Sequence, residues 1–192
     1  RTYCSSQATK VEKRQFLCQD PRTSTPGLGL LLWIKQVYGD KSYEAWKKLS
    51  PRIVTVSKGW SEAYGLFLKE EAAMVLSYTT SPAYHIIAED DKRFAAAEFS
   101  EGHYQQIEVA GLVEASQQKA LGRQFLSFMQ DEKFQTIIPT TNWMYPAALA
   151  KTSLPEGFNE LVQPATTLIF TEDSIAKNRK KWVNDWLEVM SE

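Results

Sequence analysis

A pattern of strand, polar loop and helix occurs three times in the first half of this chain, beginning near residues 16, 53 and 73. The predicted strands are Phe16-Leu17-Cys18, the β-branched run Ile53-Val54-Thr55-Val56, and Ala73 to Tyr78. Apolar residues at helical spacing follow each of the three loops, and Ser61 is predicted to cap the helix after the second strand. This order is typical of an α/β fold with parallel strands, in which ligands bind at the carboxyl ends of the strands. The pattern therefore predicts both the fold class and the place of a site.

The second half of the chain gives a different pattern. Tyr104 to Val113 is predicted as a longer strand, and residues 116–130 as a helix with one apolar face. Asp131 is predicted to start another helix that stops at Pro139, and Thr171 to cap the closing helix. Residues 1–14 are polar and lack periodicity, which indicates a tail of uncertain structure.

Composition and net charge give no indication of a highly charged partner. The chain has 192 residues, of which 43% are hydrophobic and 23% charged, as is typical of a soluble globular protein. Its net charge of −1 gives no reason to expect nucleic acid or an anionic membrane as a partner.

The two cysteines, Cys4 and Cys18, are too far apart for a CxxC motif. They form either one disulfide in an oxidising compartment or two unrelated thiols.

The loop after the first strand leads into a helix start suited to an anion. Ser24 and Thr25 are preferred N-cap residues, and Pro26 suits the first helical position because its missing N–H needs no partner there. Gly27 and Gly29 would let a ligand approach the first turn, where free N–H groups favour phosphate or carboxylate. An ordinary helix cap explains the same residues, and for so short a motif it is the commoner case. Gly39 and Asp40 are predicted to end this helix.

No catalytic motif of the common hydrolase, zinc-protease, P-loop or dinucleotide type occurs in the sequence. His85 and His103 are interpreted as structural or surface residues, and no metal site is predicted. Hydroxyl and aromatic side chains instead collect in loops, which favours a site for a polar or anionic group beside a flat or cationic ring. These loop residues are Ser24, Thr25, Trp60, Tyr78, Thr79, Thr80, Ser81 and Trp143.

Several segments together resemble the family of periplasmic thiamine-binding proteins of bacterial ABC importers. They are QDPRTSTPGLGLLLW at 19–33, VTVSKGWSEAYGLFL at 54–68, LSYTTSPAYH at 76–85, FSEGHY at 99–104, NWMYP at 142–146 and PATT at 164–167. The likeness covers about residues 15–192 and implies a type II periplasmic binding protein fold, with two α/β lobes and a cleft. It implies that the chain is the second lobe of this fold plus the returning part of the first lobe. Residues 15–100 would form the ligand-binding lobe, and residues 101–192 would be the returning segment with the C-terminal helices.

The resemblance also implies a ligand and its contacts. Ser24 and Thr25 match positions at the phosphate end of the ligand, and Trp60 and the turn 78–81 match positions lining the cleft. Tyr84 and Trp143 match aromatic positions beside the thiamine rings. The implied function is periplasmic binding of thiamine or its mono- and diphosphate, without catalysis or cofactor, for delivery to a membrane permease.

The chain lacks the first lobe segment of that family, so we expect either self-association or pairing with a separate first-half chain. One alternative is a ferric-ion or small-anion binding protein of the same fold. Another is a thiamine-degrading enzyme of related fold, which would need a nucleophilic cysteine. Cys4 and Cys18 precede the first ligand loop, and neither has an obvious base.

Overall fold

The computed structural model describes residues 15–148 and 153–192, so the predicted tail at 1–14 lies outside the described residues. The chain divides into two compact units that are interleaved along the sequence. The described residues of the sheet unit are 15–78, Glu98–Gln106 and Pro164–Glu192. The described residues of the helical unit are Thr79–Ala97, 107–148 and 153–163. The division into segments 15–100 and 101–192 stays a prediction.

The sheet unit is built on three parallel strands in the order β2-β1-β3. They are β1 (Phe16–Gln19), β2 (Ile53–Ser57) and β3 (Met74–Val75). The α/β prediction is confirmed, but β3 is shorter than the predicted strand from Ala73 to Tyr78. Just after β3, the Leu76 N–H donates to the Leu17 carbonyl at 2.8 Å, and the Gln19 side-chain Nε2 donates to the Leu76 carbonyl at 3.1 Å.

The α-helices of the described residues alternate with the strands in the first half and follow one another in the second. They are α1 (Thr25–Tyr38), α2 (Ser42–Leu49), α3 (Trp60–Leu68), α4 (Pro82–Ala88), α5 (Lys119–Phe128), α6 (Glu132–Gln135), α7 (Ile138–Thr141) and α8 (Glu172–Ser191). Short 3₁₀ turns cover Gly39–Lys41, Ser50–Arg52 and Glu156–Glu160. In this part of the chain no helix is long and apolar enough to cross a membrane.

The core of the sheet unit joins α1, α2 and α8. Leu31 and Ile34 of α1 pack with Trp46 of α2 and with Trp182 and Trp186 of α8. The rings of Trp46 and Trp186 meet edge to face with centroids 6.5 Å apart. The closing helix α8 is therefore a structural part of the unit that carries the first two ligand loops.

The cap of α8 follows the sequence prediction. Thr171 has extended backbone angles, and its hydroxyl accepts a hydrogen bond from the Ser174 N–H at 3.3 Å. The bond satisfies one of the first N–H groups of the helix, which have no partner within the helix itself.

Gly27 has a packing role that the sequence interpretation missed. A Cβ atom at this position would lie 2.4 Å from the Gln19 carbonyl oxygen and 2.8 Å from that of Asp20. The first turn of α1 thus rests directly on the backbone at the end of β1. A Cβ atom at Gly29 would have no neighbouring atom within 4 Å. Close approach at Gly27 is to the protein's own backbone and not to a ligand.

Three predicted element boundaries are wrong. The predicted strand from Tyr104 to Val113 reduces to β4 (His103–Tyr104), which pairs in parallel with β5 (Thr167–Leu168). Pro139 lies in the first turn of α7 instead of ending a helix, a position where its missing N–H costs nothing. Helix α3 begins at Trp60, after Gly59 at the N-cap, and not after a cap at Ser61.

Candidate functional site

The loops at the carboxyl ends of β1 and β2 are tied together by hydrogen bonds. The Thr23 hydroxyl donates to the Lys58 carbonyl at 2.6 Å, and the Asp20 N–H donates to the Ser57 carbonyl at 2.9 Å. The start of α1 and the start of α3 therefore lie next to each other, as the parallel sheet predicts.

At the start of α1, Ser24 has the extended backbone of an N-cap residue, but its side chain makes no capping hydrogen bond. Its Oγ is buried, and within the described parts of the chain no group hydrogen-bonds to it. A buried hydroxyl without a partner costs about 1–3 kcal/mol. Thr25 beside it is exposed. The start of α1 therefore has one buried hydroxyl, that of Ser24, with no hydrogen-bond partner among the described residues.

A shallow groove of about 230 Å³ opens at this helix start, lined by residues 21–25, Leu28 and Arg179. Arg22 forms an ion pair with Asp20, and the guanidinium lowers the pKa of that carboxyl. Among the described residues, no acidic side chain pairs with Arg179. The groove thus combines a helix N-terminus with one uncompensated cation, which suits an anion.

Sequence reasoning missed Arg179. It lies on the exposed face of α8, more than 150 positions after Ser24, in the run Lys177-Asn178-Arg179-Lys180-Lys181. Nothing in that run distinguishes one cation from the others. Arg179 lines the groove because α8 packs against α1.

Trp60 is the centre of an aromatic cluster in the sheet unit. Its indole Nε1 donates to the Ser77 hydroxyl at 2.8 Å. The Tyr64 ring stacks on it with centroids 4.7 Å apart and planes 24° apart, and the Tyr78 ring lies at 6.4 Å. Trp60 and Tyr78 were predicted as site residues and lie together, whereas Ser77 and Tyr64 were not predicted.

The remaining predicted residues belong to the helical unit. Thr80 is buried, and its hydroxyl lies 3.4 Å from the Met144 sulfur. Ser81 is at the N-cap position of α4, and Thr79 beside Thr80 is half-buried. The rings of Tyr84 and Trp143 meet edge to face at 5.2 Å. The helical unit therefore brings residues 79–81 of the predicted turn and the two predicted aromatic residues into one region, through the contacts of Thr80 with Met144 and of Tyr84 with Trp143.

The backbone of Trp143 is in the left-handed region, with φ of 55°. That conformation costs an L-residue about 1–2 kcal/mol, and it is a clear outlier for a bulky side chain. Such outliers concentrate at ligand-binding positions, where the surrounding structure holds the residue in place. The observation favours a functional role for the indole.

His85 and Tyr84, which could act as a base or as metal ligands, contact neighbouring groups of the protein. The His85 ring is buried, lies 2.6 Å from Glu89 through Nδ1, and stacks on Phe94. A hydrogen bond to Glu89 raises the pKa of Tyr84, which disfavours a tyrosinate ligand for ferric ion. Within the described residues no group of three or more His, Cys, Asp or Glu side chains could hold a metal.

Cys18 is buried in the middle of the sheet and is not disulfide-bonded. Burial, with a smaller contribution from Asp20, raises the pKa of its thiol to about 12. A thiol that stays protonated at neutral pH is a poor nucleophile. Cys4 lies outside the described residues.

Comparison with known proteins gives a consistent result. Residues 19–136 match the family described as bacterial extracellular solute-binding protein. The chain is 57% identical over 180 residues to the thiamine-binding periplasmic protein of Salmonella typhimurium (strain LT2), covering 94% of this chain and 54% of that protein. The corresponding protein of Escherichia coli (strain K12) is 58% identical over 177 residues, covering 92% of this chain and 54% of its own length.

Solved structures agree in fold. A periplasmic thiamin binding protein superposes with a TM-score of 0.91 at 55% identity, covering 96% of this chain and 57% of that one. An ABC transporter structure from Clostridium perfringens ATCC 13124 superposes with a TM-score of 0.62 at 15% identity, covering 93% and 59%, and bears on the fold alone. The predicted type II periplasmic binding protein fold is confirmed. The chain spans about half the length of the relatives it matches.

Proposed function

This chain belongs to the family of bacterial extracellular solute-binding proteins, and we propose that it binds thiamine and its phosphate esters without transforming them, for an ABC importer in the periplasm. The observation that carries the proposal is the identity of 57% and 58% to two thiamine-binding periplasmic proteins over nearly the whole chain. The raised pKa of Cys18, to about 12, argues against this thiol as the nucleophile that the alternative of a thiamine-degrading enzyme would need.

Calorimetric titration of the 192-residue chain with thiamine, thiamine monophosphate and thiamine diphosphate tests the proposal. We expect saturable heats for at least one of the three compounds and no release of thiazole from any of them. Ferric citrate is the control for the alternative ferric-ion function, since a tyrosinate–iron site would give a visible absorption band. No binding of any thiamine compound at about 1 mM, equivalent to about −4 kcal/mol, would contradict the proposal.

The phosphate end of the ligand is assigned to the groove at the start of α1. Ser24 supplies a hydroxyl that lacks a partner, and Arg179 supplies a positive charge. We expect Ser24→Ala to weaken binding of thiamine monophosphate by about 1–2 kcal/mol more than binding of thiamine, as a charge-assisted hydrogen bond is lost. Equal losses for both ligands would mean that Ser24 only shapes the helix start.

Arg179→Gln is the independent variant for the same assignment. Because the guanidinium is exposed, its contribution is expected to be at most about 1 kcal/mol, for the phosphate esters only and decreasing with salt. Lys180→Gln is the matched control, since Lys180 is exposed and immediately follows Arg179 on α8 but does not line this groove. If both variants lose the same affinity, the effect is one of overall charge.

Aromatic side chains are proposed to contact the thiamine rings. We expect thiamine to quench tryptophan fluorescence, and Trp143→Ala to remove part of that signal and weaken binding by about 1–3 kcal/mol. Trp143→Gly is the matched comparison, because glycine removes the indole and also accepts the positive φ of 55° at this position. A Trp143→Ala protein that binds like the unmodified chain would contradict the aromatic assignment.

The partners are proposed to be a membrane permease and a second polypeptide surface. Large apolar side chains of the helical unit are exposed, among them Val109 at 90%, Val113 at 69% and Leu121 at 61%. Exposed apolar surface of this kind drives association. We propose that the chain self-associates or pairs with a separate first-half chain, and that it binds thiamine weakly when alone. Light scattering with parallel titration tests this, and a strict monomer that binds as tightly as a full-length relative measured alongside it would contradict it.

A further inference from the structure

Trp60 is the first residue of α3 and stands at the carboxyl end of β2, beside the start of α1. A tryptophan side chain has two rotatable bonds, so a half-buried indole in a loop-to-helix junction needs contacts that select one orientation. Stacking with a flat ligand ring depends on that orientation, because the attraction falls when the planes tilt or slide.

Two contacts of different kinds constrain the indole. The Ser77 hydroxyl accepts a hydrogen bond from Nε1 at 2.8 Å, in the direction of the ring edge. The Tyr64 ring stacks on the indole with centroids 4.7 Å apart and planes 24° apart. The hydrogen bond limits rotation of the indole within its own plane, and the stack limits tilting of that plane. Together they define where the ring lies.

Ser77 reaches Trp60 from a separate segment of the chain. It follows β3, whereas Trp60 follows β2, and both strands pair with β1 on opposite sides. Because the indole N–H already donates to Ser77, the indole would meet a ligand through its π face and not through a polar group. That chemistry suits a flat or cationic ring.

We propose that Ser77 is a positioning residue for ligand binding: its hydroxyl holds the Trp60 indole in the orientation that stacks on the ligand ring. This inference rests on the proposed thiamine-binding function. It assigns Ser77 no direct contact with the ligand. Its effect on affinity passes entirely through Trp60.

Three variants test the proposal. Ser77→Ala removes the acceptor, Ser77→Thr keeps a hydroxyl, and Ser50→Ala is the control, since Ser50 is another half-buried serine and its hydroxyl lies 3.4 Å from the Lys47 carbonyl. We expect Ser77→Ala to bind thiamine about 3- to 10-fold more weakly, as the loss of one hydrogen bond implies. Ser77→Thr is expected to restore most of the affinity, and Ser50→Ala to leave it unchanged.

Indole ¹⁵N–¹H spectra give a readout that is independent of binding. Trp60→Phe identifies the Trp60 signal, and we expect Ser77→Ala to shift that signal while the other five tryptophan signals stay in place. If Ser77→Ala fails to fold, Ser77→Cys replaces it in both measurements, because a thiol is a weaker acceptor of similar size.

These outcomes distinguish failure of the inference about Ser77 from failure of the proposed thiamine-binding function. An unshifted Trp60 signal in Ser77→Ala would overturn the inference, and so would a shifted signal with unchanged thiamine affinity. Equal weakening in Ser77→Ala and Ser77→Thr would overturn it as well, since the hydroxyl would then not be the cause. If the unmodified chain binds no thiamine compound at all, the proposed function itself fails, and the inference fails with it, whatever the indole spectra show.

Discussion

Replacing Gly27 with alanine places a methyl group 2.4 Å from the Gln19 carbonyl oxygen, where an ordinary contact begins near 3.4 Å. Neither neighbour can rotate away, because the nearest atoms all belong to the backbone of Gln19 and Asp20. The first turn of α1 must therefore move away from the end of β1 by up to about 1 Å. Overpacking of this kind costs about 1–3 kcal/mol.

Gly29→Ala is the matched substitution two positions further along α1. Its Cβ has nothing within 4 Å, so the only effect is the higher helix propensity of alanine. We expect a gain of about 0.5–1 kcal/mol in the free energy of unfolding. The two variants make the same chemical change in the same helix and are expected to shift stability in opposite directions.

Thermal unfolding followed by circular dichroism measures both changes. For a chain of this size, 1 kcal/mol shifts Tm by about 2–4 °C. Gly27→Ala is expected to lower Tm by about 2–12 °C, and Gly29→Ala to raise it by about 1–4 °C. If Gly27→Ala is as stable as Gly29→Ala, the contact between the α1 start and the β1 backbone does not exist as described.

Three further outcomes follow from individual groups. Thr171→Ala is expected to lower the free energy of unfolding by about 1 kcal/mol in urea titration, and Thr171→Ser to restore most of it, because serine keeps the capping oxygen. Hydrogen bonds from Arg93 lower the pKa of Asp91 to about 2, so the folded state favours the carboxylate. Its stabilising effect is expected in full above about pH 5 and to disappear as the pH falls from about 4 to 2, with NMR titration of the carboxyl as the measurement and Asp91→Asn as the variant without it. Cys18, whose thiol pKa is raised to about 12, is expected to resist alkylation at pH 8 until the protein unfolds, as peptide mass spectrometry would show.

The features that sequence predicted correctly depend on local chemistry. Pro26 and the extended backbone of Ser24 mark the start of α1, and Gly39 ends it with a φ of 54°. Thr171 caps α8 by accepting a hydrogen bond from the N–H of Ser174, three residues further along the chain. Each of these signals involves residues within a few positions of one another, so the sequence around them contains the whole cause.

The errors and omissions involve contacts between distant segments. Residues 105–113 contain alternating apolar side chains but form no strand, since a strand also needs a neighbouring backbone to pair with. Arg179 joins the groove at Ser24 only because α8 packs on α1. Ser77 joins Trp60 only because β2 and β3 lie on either side of β1. Such partners have no local signature.

The packing of α8 against α1 also sets the order in which the sheet unit can fold. About 150 residues separate Leu31 from Trp182 in the chain, although both belong to one core. At ordinary synthesis rates that distance is a delay of about 8–30 s, during which the side of α1 that packs on α8 has no cover. Any product that ends before α8 would lack Trp182, Trp186 and Val189, and the surfaces of Leu31, Ile34 and Trp46 that pack on them would be open to association with other chains.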